Sequence, residues 1–544
     1  MTMNKIYKDI FCFSPNKHQD EIWNYFADTN NLKKPLILKA PTGSGKTEAI
    51  LAPFLNQFLE NNFYIAPRLI YVLPMRVLVN TISDRIRKYA EKISPYISVK
   101  IQHGDLPDAP FFLSDIVITT LDQFVYGLTR SSQQVGKHID IPVGSIASSL
   151  IVFDEAHMYR DEFTFSVMRA IMEILYESKI PFVVMTATMP ESLEKSLFEN
   201  IKDYTKIMGE DVINSKLRIR IWDKPLYANN EVNIDMELLE NVKKRKTLIV
   251  LNQVKRAQKV YEEIKKRLDL SNNQIVLLHS RFTKKDREIN EKSALSLIPH
   301  KENGKIKIPE GVSIVVSTQV LEAGIDFSAE LLLTEIAPAD CLVQRAGRCA
   351  RYEGEEGEMI IFPVDDEKGY KPYEKEHIMK TINWIRNNTN FNIKNFKEVC
   401  SFVDELDYQA NDFEARDTLV DLYECVLYAD TKPQNIQVRN SKPVTLVVID
   451  SSIGEGKKKE DIIRSSIRKT AMNLRENSID IDIGVAWQLF NKDGILKYRF
   501  KYDVESKNWD FEEIREIQPF NMYIIEKNDY DENIGVKNDA SYFI

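Results

Sequence analysis

The sequence predicts an α/β chain: two tandem parallel-sheet lobes followed by a C-terminal accessory region. Three observations carry this prediction. Short runs rich in Val, Ile and Leu alternate with longer amphipathic stretches, the pattern of strands buried on both faces and covered by helices. The alternation starts afresh after about Tyr204. A glycine-bearing turn joins the first apolar run to a helical stretch, and in such sheets ligands bind at the carboxyl ends of the strands. A chain of 544 residues holds about three folding units at roughly 100–200 residues each. The expected boundaries are 1–215 and 216–390 for the lobes and 391–544 for the accessory region.

In the first lobe the expected strands are PLILKA, RLIYVLP, DIVITT, SLIVFDE and PFVVMTAT; in the second they are TLIVL, QIVLLHS, VSIVVSTQ, LLLTEIA and EMIIFPV. The stretch KLRIRIWDKPLYANNEVN between the two series reads as a strand and a linker. Beyond about Glu374 the text turns helical and mixed, with a lysine run at Lys457, Lys458 and Lys459 and a β-like segment near YRFKYDV.

Composition excludes several classes. Hydrophobic residues at 43% and charged residues at 28% exclude a mainly disordered chain. Lys and Arg number 73 against 81 Asp and Glu, a net charge of −8, so nucleic acid cannot be held by bulk charge and needs a local basic surface. The five cysteines form no C-x-x-C pair, which argues against a disulfide framework or a cysteine-rich zinc module and fits a reducing compartment. No targeting segment is evident, and the apolar runs fall far short of the roughly 20 residues that span a bilayer. The expectation is a cytoplasmic protein with no membrane partner.

Residues 36–50 read LILKAPTGSGKTEAI. The frame is A-x-x-x-x-G-K-T, with Ala40 where the stricter pattern has glycine. Gly43 and Gly45 let the backbone N–H groups around Thr42 and Ser44 turn toward a phosphate. Lys46 would then meet the β- and γ-phosphates, and the Thr47 hydroxyl would bind Mg²⁺ at the start of the following helix. Residues 149–157, SLIVFDEAH, carry two carboxylates on the tip of a buried strand. Asp154 is placed to hold Mg²⁺ and Glu155 to activate the attacking water. His157 has no second ligand at a metal spacing and reads as coupling this site to the second lobe. Upstream, the Gln19 amide could pair with N6 and N7 of adenine, which favours ATP over GTP.

The second lobe contributes QRAGRCAR, with Gln344, Arg345, Arg348 and Arg351. Arg348 and Arg351, three apart, are expected on one helical face, as arginines that neutralise charge on a transferring γ-phosphate. VSTQVLEAGIDFS ends a strand in Thr318 and Gln319 and then presents Glu322, Gly324 and Asp326. The Thr318 hydroxyl suits a nucleic-acid phosphate; Asp326 suits the ATP ribose or an arginine. TATMP, Thr186 to Pro190, closes a first-lobe strand with two hydroxyls suited to sensing hydrolysis.

Taken in order, the phosphate loop, LPMRVLVN, ITTLDQF, DEAH, TATMP, STQVLEAGIDF and QRAGRCAR resemble superfamily 2 helicases of the DExH type over roughly residues 13–365. LLHSRFTKKDRE, STQVLEAGIDF and APADCLVQRAGRCAR look most like the CRISPR-associated helicases of type I interference. The resemblance implies two RecA-like lobes that clasp ATP and Mg²⁺ and move along single-stranded DNA. It further implies 3′ to 5′ unwinding after a guide-RNA surveillance complex has opened the target. On matching positions it implies backbone contacts by Arg76, Thr120, Gln123, Asn252, Ser280, Arg281 and Thr318. Many members carry an N-terminal HD nuclease. Here the phosphate loop starts at Ala40 and none of the seven histidines precedes an aspartate, so the expectation is the stand-alone form, with an HD-type nuclease on a separate chain. The stretch between Asn241 and Leu270 is rich in lysine and arginine and bears on nucleic-acid binding, though its KKR at 265–267 reads at least equally as a solvated helix face. An RNA helicase or a general nucleic-acid remodeler remains the alternative.

Overall fold

The computed structural model describes residues 3–104, 106–159, 162–211, 213–302, 305–322, 326–365, 367–407, 420–426, 438, 442–450, 459–491, 494–503 and 507–537. Gly324, Lys457 and Lys458 lie outside the described residues. The chain divides into two compact units, Met1–Ile213 with Ile393–Asn440, and Asn214–Asn392 with Ser441–Ile544.

The first unit is built on eight strands: β1 (Leu36–Lys39), β2 (Arg68–Leu73), β3 (Val99–His103), β4 (Leu106–Pro107), β5 (Ile116–Thr120), β6 (Ser149–Phe153), β7 (Phe182–Thr186) and β8 (Thr205–Met208), in the order β4-β3-β5-β2-β6-β7-β1-β8. Every pairing is parallel except β3 with β4. β1, β5, β6 and β7 are buried along their whole length, which is why they read as unbroken apolar runs rather than alternating ones. Phe124 and Phe153 meet edge to face at 5.5 Å within the core, each burial contributing about 1.5–3 kcal/mol.

The second unit carries β9 (Lys216–Ile221), a small hairpin of β10 (Tyr227–Ala228) and β11 (Glu231–Val232), then β12 (Lys246–Val250) and β13 (Ile275–Leu278). A second hairpin follows, β14 (His300–Glu302) with β15 (Lys305–Lys307), before β16 (Ser313–Ser317), β17 (Leu331–Glu335) and β18 (Glu356–Phe362). The main sheet is all parallel, in the order β13-β16-β12-β17-β18-β9. β9, which the sequence showed only as a strand between the two series, pairs with β18 and so forms an edge of this second sheet.

The region after 390 is shared out between the units. The helix Phe396–Val403 belongs to the first, where Asp404 accepts from the Glu191 N–H at 2.9 Å and lies 3.8 Å from the buried Lys39 ammonium at the end of β1. In the second unit β19 (Pro443–Ile449), β20 (Ser478–Asp482), β21 (Tyr498–Asp503), β22 (Asn508–Glu513) and β23 (Met522–Glu526) form a mixed sheet in the order β20-β19-β23-β21-β22. A final hairpin, β24 (Tyr530–Asp531) with β25 (Gly535–Val536), follows it.

Candidate functional site

β1 delivers the chain into Ala40–Gly45, and the helix Lys46–Glu60 starts directly behind it. Gly43 and Gly45 both have φ of +82°, the left-handed region that favours glycine. Ala40 is accommodated because its neighbour is Gly209: a Cβ there would lie 2.4 Å from the Ala40 Cβ. The carbonyls of Ser44 and Gly45 are held from outside the loop. Asn16 Nδ2 donates to Ser44 O at 2.9 Å and Gln19 Nε2 to Gly45 O at 3.0 Å. Asn16 and Gln19 also cap the helix Lys17–Ala27 reciprocally, with Gln19 Oε1 accepting from the Asn16 N–H at 2.9 Å. Each end of the Gln19 amide thus makes one of these bonds, which leaves one N–H and one oxygen lone pair uncommitted by them. A Cβ on Gly45 would meet Gln19 Nε2 at 2.4 Å. Gly45→Ala is expected to cost about 1–3 kcal/mol through the left-handed backbone and to displace Gln19, measurable as a lowered urea midpoint together with weakened nucleotide binding.

Lys46 donates to the carbonyls of Ala40 and Pro41 at 3.1 and 3.2 Å. Asp154, just beyond β6, is held at both oxygens: Oδ1 accepts from the Glu155 N–H at 2.8 Å and Oδ2 from the Tyr71 hydroxyl at 2.6 Å. Burial first, and then the Glu155 charge, push the Asp154 carboxyl up to about 6. The same Tyr71 oxygen lies 3.3 Å from Thr47 Oγ1. Glu155 has φ of +52°, and its carboxylate lies 3.6 Å from Nδ1 of the buried His157, which is 3.2 Å from Thr186 Oγ1. The first unit thus brings Lys46, Thr47, Asp154, Glu155, His157 and Thr186 into one linked cluster. Sequence reasoning passed over Tyr71, because a tyrosine inside an apolar strand looks like any other core aromatic.

In the second unit Arg345 is buried at 1% exposure. It donates to Glu322 Oε1 (2.9 Å), Thr334 Oγ1 (2.8 Å), Glu335 O (3.1 Å), Asn252 Oδ1 (3.2 Å) and Tyr373 Oη (2.9 Å). Gln344, half-buried, precedes it on the helix Ala339–Ala346. Arg348 and Arg351 do not share a face of that helix, because it ends at Ala346. The chain then turns so that Ala350 N–H bonds the Ala329 carbonyl at 2.9 Å. Arg348 donates to the carbonyls of Leu321 and Glu322 at 3.0 and 2.9 Å, and Arg351 pairs with Asp326 at 2.8 Å.

The expected nucleic-acid contacts divide by exposure. Arg76 is exposed at the start of the helix Arg76–Ile93, and Gln123 and Ser280 are half-buried. Thr120, Arg281 and Thr318 are buried at 2–3% exposure. Asn252 is withdrawn from any surface. It is 0% exposed; its Oδ1 takes Arg345, its Nδ2 donates to Ile336 O at 3.0 Å, and its N–H bonds Glu335.

The hairpin β24–β25 covers His279–Arg281. Gly535, at φ of +81°, lies so close that a Cβ would meet Arg281 O and His279 Cε1 at 2.6 Å. His279 Nδ1 accepts from the Arg281 N–H at 3.1 Å and Nε2 donates to Ile534 O at 2.8 Å, which requires a neutral ring. Burial lowers its pKa from 6.5 to about 3. The unfolded chain takes up this proton as pH falls below about 6.5, while the folded chain refuses it down to about 3, so stability is lost through that window. By pH 5 the loss amounts to about 2 kcal/mol. Calorimetric melting from pH 7 to pH 5 is expected to show a steeper fall in the parent than in His279→Gln.

Residues 16–196 match the DEAD/DEAH box helicase family, and residues 243–354 match the family described as CRISPR-associated nuclease/helicase Cas3, C-terminal. A putative CRISPR-associated nuclease/helicase Cas3 of Methanocaldococcus jannaschii is 30% identical over 409 residues, covering 69% of this chain and 52% of that protein. A CRISPR-associated helicase Cas3 of Thermoproteus tenax is 30% identical over 352 residues, covering 62% of this chain and 57% of that one. The chain therefore spans about half the length of these relatives. Among solved structures, T. fusca Cas3 with ADP superposes with a TM-score of 0.69 at 18% identity, over 97% of this chain and 69% of that one. The helicase MrfA bound to DNA gives 0.61 at 15% identity, over 94% and 73%. These structures share the fold of two tandem RecA-like lobes. With the phosphate loop and the DEAH tip joined in one unit and the QRAGR block built into the other, the chain is similar to the CRISPR-associated Cas3 helicases in sequence and in fold.

Proposed function

We propose that the chain is an ATP-driven translocase and helicase on single-stranded DNA in type I CRISPR interference. The observation that carries this reading is the first-unit cluster, in which Thr47 and Asp154 converge on one tyrosine oxygen beside Lys46. The cluster fits a magnesium nucleotide. Ser44 Oγ is buried without a partner, as a loop built to face phosphate would leave it. Thr47 and Asp154 offer hard oxygen donors, and no group of three or more His, Cys, Asp or Glu among the described residues forms a metal cage by itself. That suits Mg²⁺, which takes one or two protein oxygens and completes its shell with water and phosphate.

Loop N–H groups from Thr42 to Gly45 and the Lys46 ammonium bind the phosphates, the latter leaving the carbonyls of Ala40 and Pro41. Bound Mg²⁺ offsets phosphate charge. Glu155 takes the proton of the attacking water, beside the His157 ring, which the Thr186 hydroxyl holds in place. Gln19 offers its second N–H and second oxygen lone pair to adenine when nucleotide arrives. Gln344, Arg348 and Arg351 take part in turnover, the two arginines by exchanging their partners in the second unit for phosphate charge, with Asp326 releasing Arg351.

Arg76, Gln123 and Ser280, the members of that set with accessible surface, hold the DNA backbone without reading bases, so binding weakens with salt. A solved chain described as part of a CRISPR RNA-guided surveillance complex, pre-nicking, has a TM-score of 0.61 to this one. That supports recruitment by such a complex. Translocation runs 3′ to 5′, and an HD-type nuclease on another polypeptide acts with the chain. No described helix is long and apolar enough to cross a membrane, and the proposed site of action is the cytoplasm. ATP turnover measured with single-stranded DNA and with RNA of equal length tests the substrate. Stimulation by DNA alone supports the reading; stimulation by RNA alone replaces it with the RNA-helicase alternative.

A further inference from the structure

Tyr71 occupies a position that core packing does not account for. It is fully buried on β2, in register with Val152 of β6, two residues before Asp154. Its ring carries one hydroxyl into the space between the phosphate-loop helix and the acidic strand tip. That hydroxyl has a single hydrogen. At 2.6 Å it is directed to Asp154 Oδ2. At 3.3 Å the Thr47 hydroxyl must then be the donor and Tyr71 the acceptor.

This ordering has two consequences. The Thr47 hydrogen points away from the ligand side, so its oxygen lone pairs are left for a cation. The Asp154 carboxylate is pinned at both ends, by Tyr71 on Oδ2 and by the Glu155 N–H on Oδ1, so its rotation is fixed. A phenylalanine would pack equally well in the strand and would do neither.

We propose that Tyr71 is the positioning residue of the cation site, a single hydroxyl that orients both Thr47 and Asp154 toward Mg²⁺ bound with nucleotide. The inference rests on the reading of this cluster as a magnesium–nucleotide site. Groups that hold metal ligands from behind typically account for about 10–100-fold in metal affinity.

The test is a Mg²⁺ titration of the intact chain carrying Tyr71→Phe, read in two ways: affinity for a fluorescent ATP analogue with and without Mg²⁺, and ATP turnover. The expected result is unchanged nucleotide affinity in EDTA, about a tenfold or greater rise in the Mg²⁺ needed for half-maximal tightening and turnover, and recovery of most turnover at saturating Mg²⁺. Val72→Ala, a cavity in the same strand, serves as the stability control and should lower the melting temperature without moving the Mg²⁺ midpoint. If Tyr71→Phe does not fold, 4-aminophenylalanine at position 71 keeps a donor toward Asp154 but accepts poorly from Thr47, and should raise the Mg²⁺ midpoint by a smaller factor. A midpoint within twofold of the parent in the folded variant overturns the role of Tyr71 while leaving the site intact. A parent chain whose nucleotide binding and turnover ignore Mg²⁺ overturns the site itself, and the role of Tyr71 with it.

Discussion

Glu155→Gln is expected to lower ATP turnover by about a thousandfold, with little change in nucleotide affinity or melting temperature. Glutamine keeps the shape of glutamate but cannot accept the water proton, and a positioned general base contributes roughly 10²–10⁴ in rate. The fold does not depend on the carboxylate. Its side chain is 26% exposed, and its carboxylate lies 3.6 Å from His157 Nδ1. The left-handed backbone at φ +52° is a property of the position and persists in the variant. Single-turnover hydrolysis beside equilibrium binding checks this: loss of binding in step with turnover would mean that Glu155 supports the site rather than the chemistry.

Arg345→Ala has the largest expected effect on stability, about 3–5 kcal/mol, confined to the second unit. Removing one partner of a buried ion pair strands the other, and here Glu322, Thr334, Asn252 and Tyr373 all lose a donor at once. Alanine also leaves a cavity at one of the largest fully buried side chains. Urea unfolding should show a low-stability transition for the second unit while the first-unit transition keeps its midpoint. A variant as stable as the parent would mean that the guanidinium contributes chemistry rather than architecture.

The contrast between these two residues shows what the sequence made legible. The phosphate loop and DEAH tip were readable because their chemistry depends on residue type at fixed spacing beside a buried strand, and a parallel sheet writes its strands as plain apolar runs. QRAGRCAR was readable as an arginine cluster but not as three different environments. One arginine is spent entirely on packing, one on loop carbonyls and one on a surface carboxylate, and the helix stops before the last two. That stop depends on a tertiary pairing with Ala329, which no local spacing announces. Asn252 failed as a surface residue for the same reason: a strand-end amide looks alike whether it faces solvent or an interior arginine.

Long-range pairing also hid the C-terminal half. The strands β19 to β23 mix parallel and antiparallel neighbours, so no single period marks them. That β24–β25 would cover the HSRF block is set by contacts more than 240 positions apart along the chain, such as the Thr283 N–H on the Tyr530 hydroxyl at 3.0 Å.

The most direct measurement is ATP turnover and strand separation by the intact chain on duplexes carrying a 3′ or a 5′ single-stranded tail, of DNA and of RNA, with Lys46→Ala alongside. The account predicts Mg²⁺-dependent turnover raised by single-stranded DNA, separation of the 3′-tailed DNA duplex, and neither activity in Lys46→Ala. Turnover that persists undiminished in Lys46→Ala, or a parent chain that neither hydrolyses ATP nor separates any of the four duplexes, would contradict it.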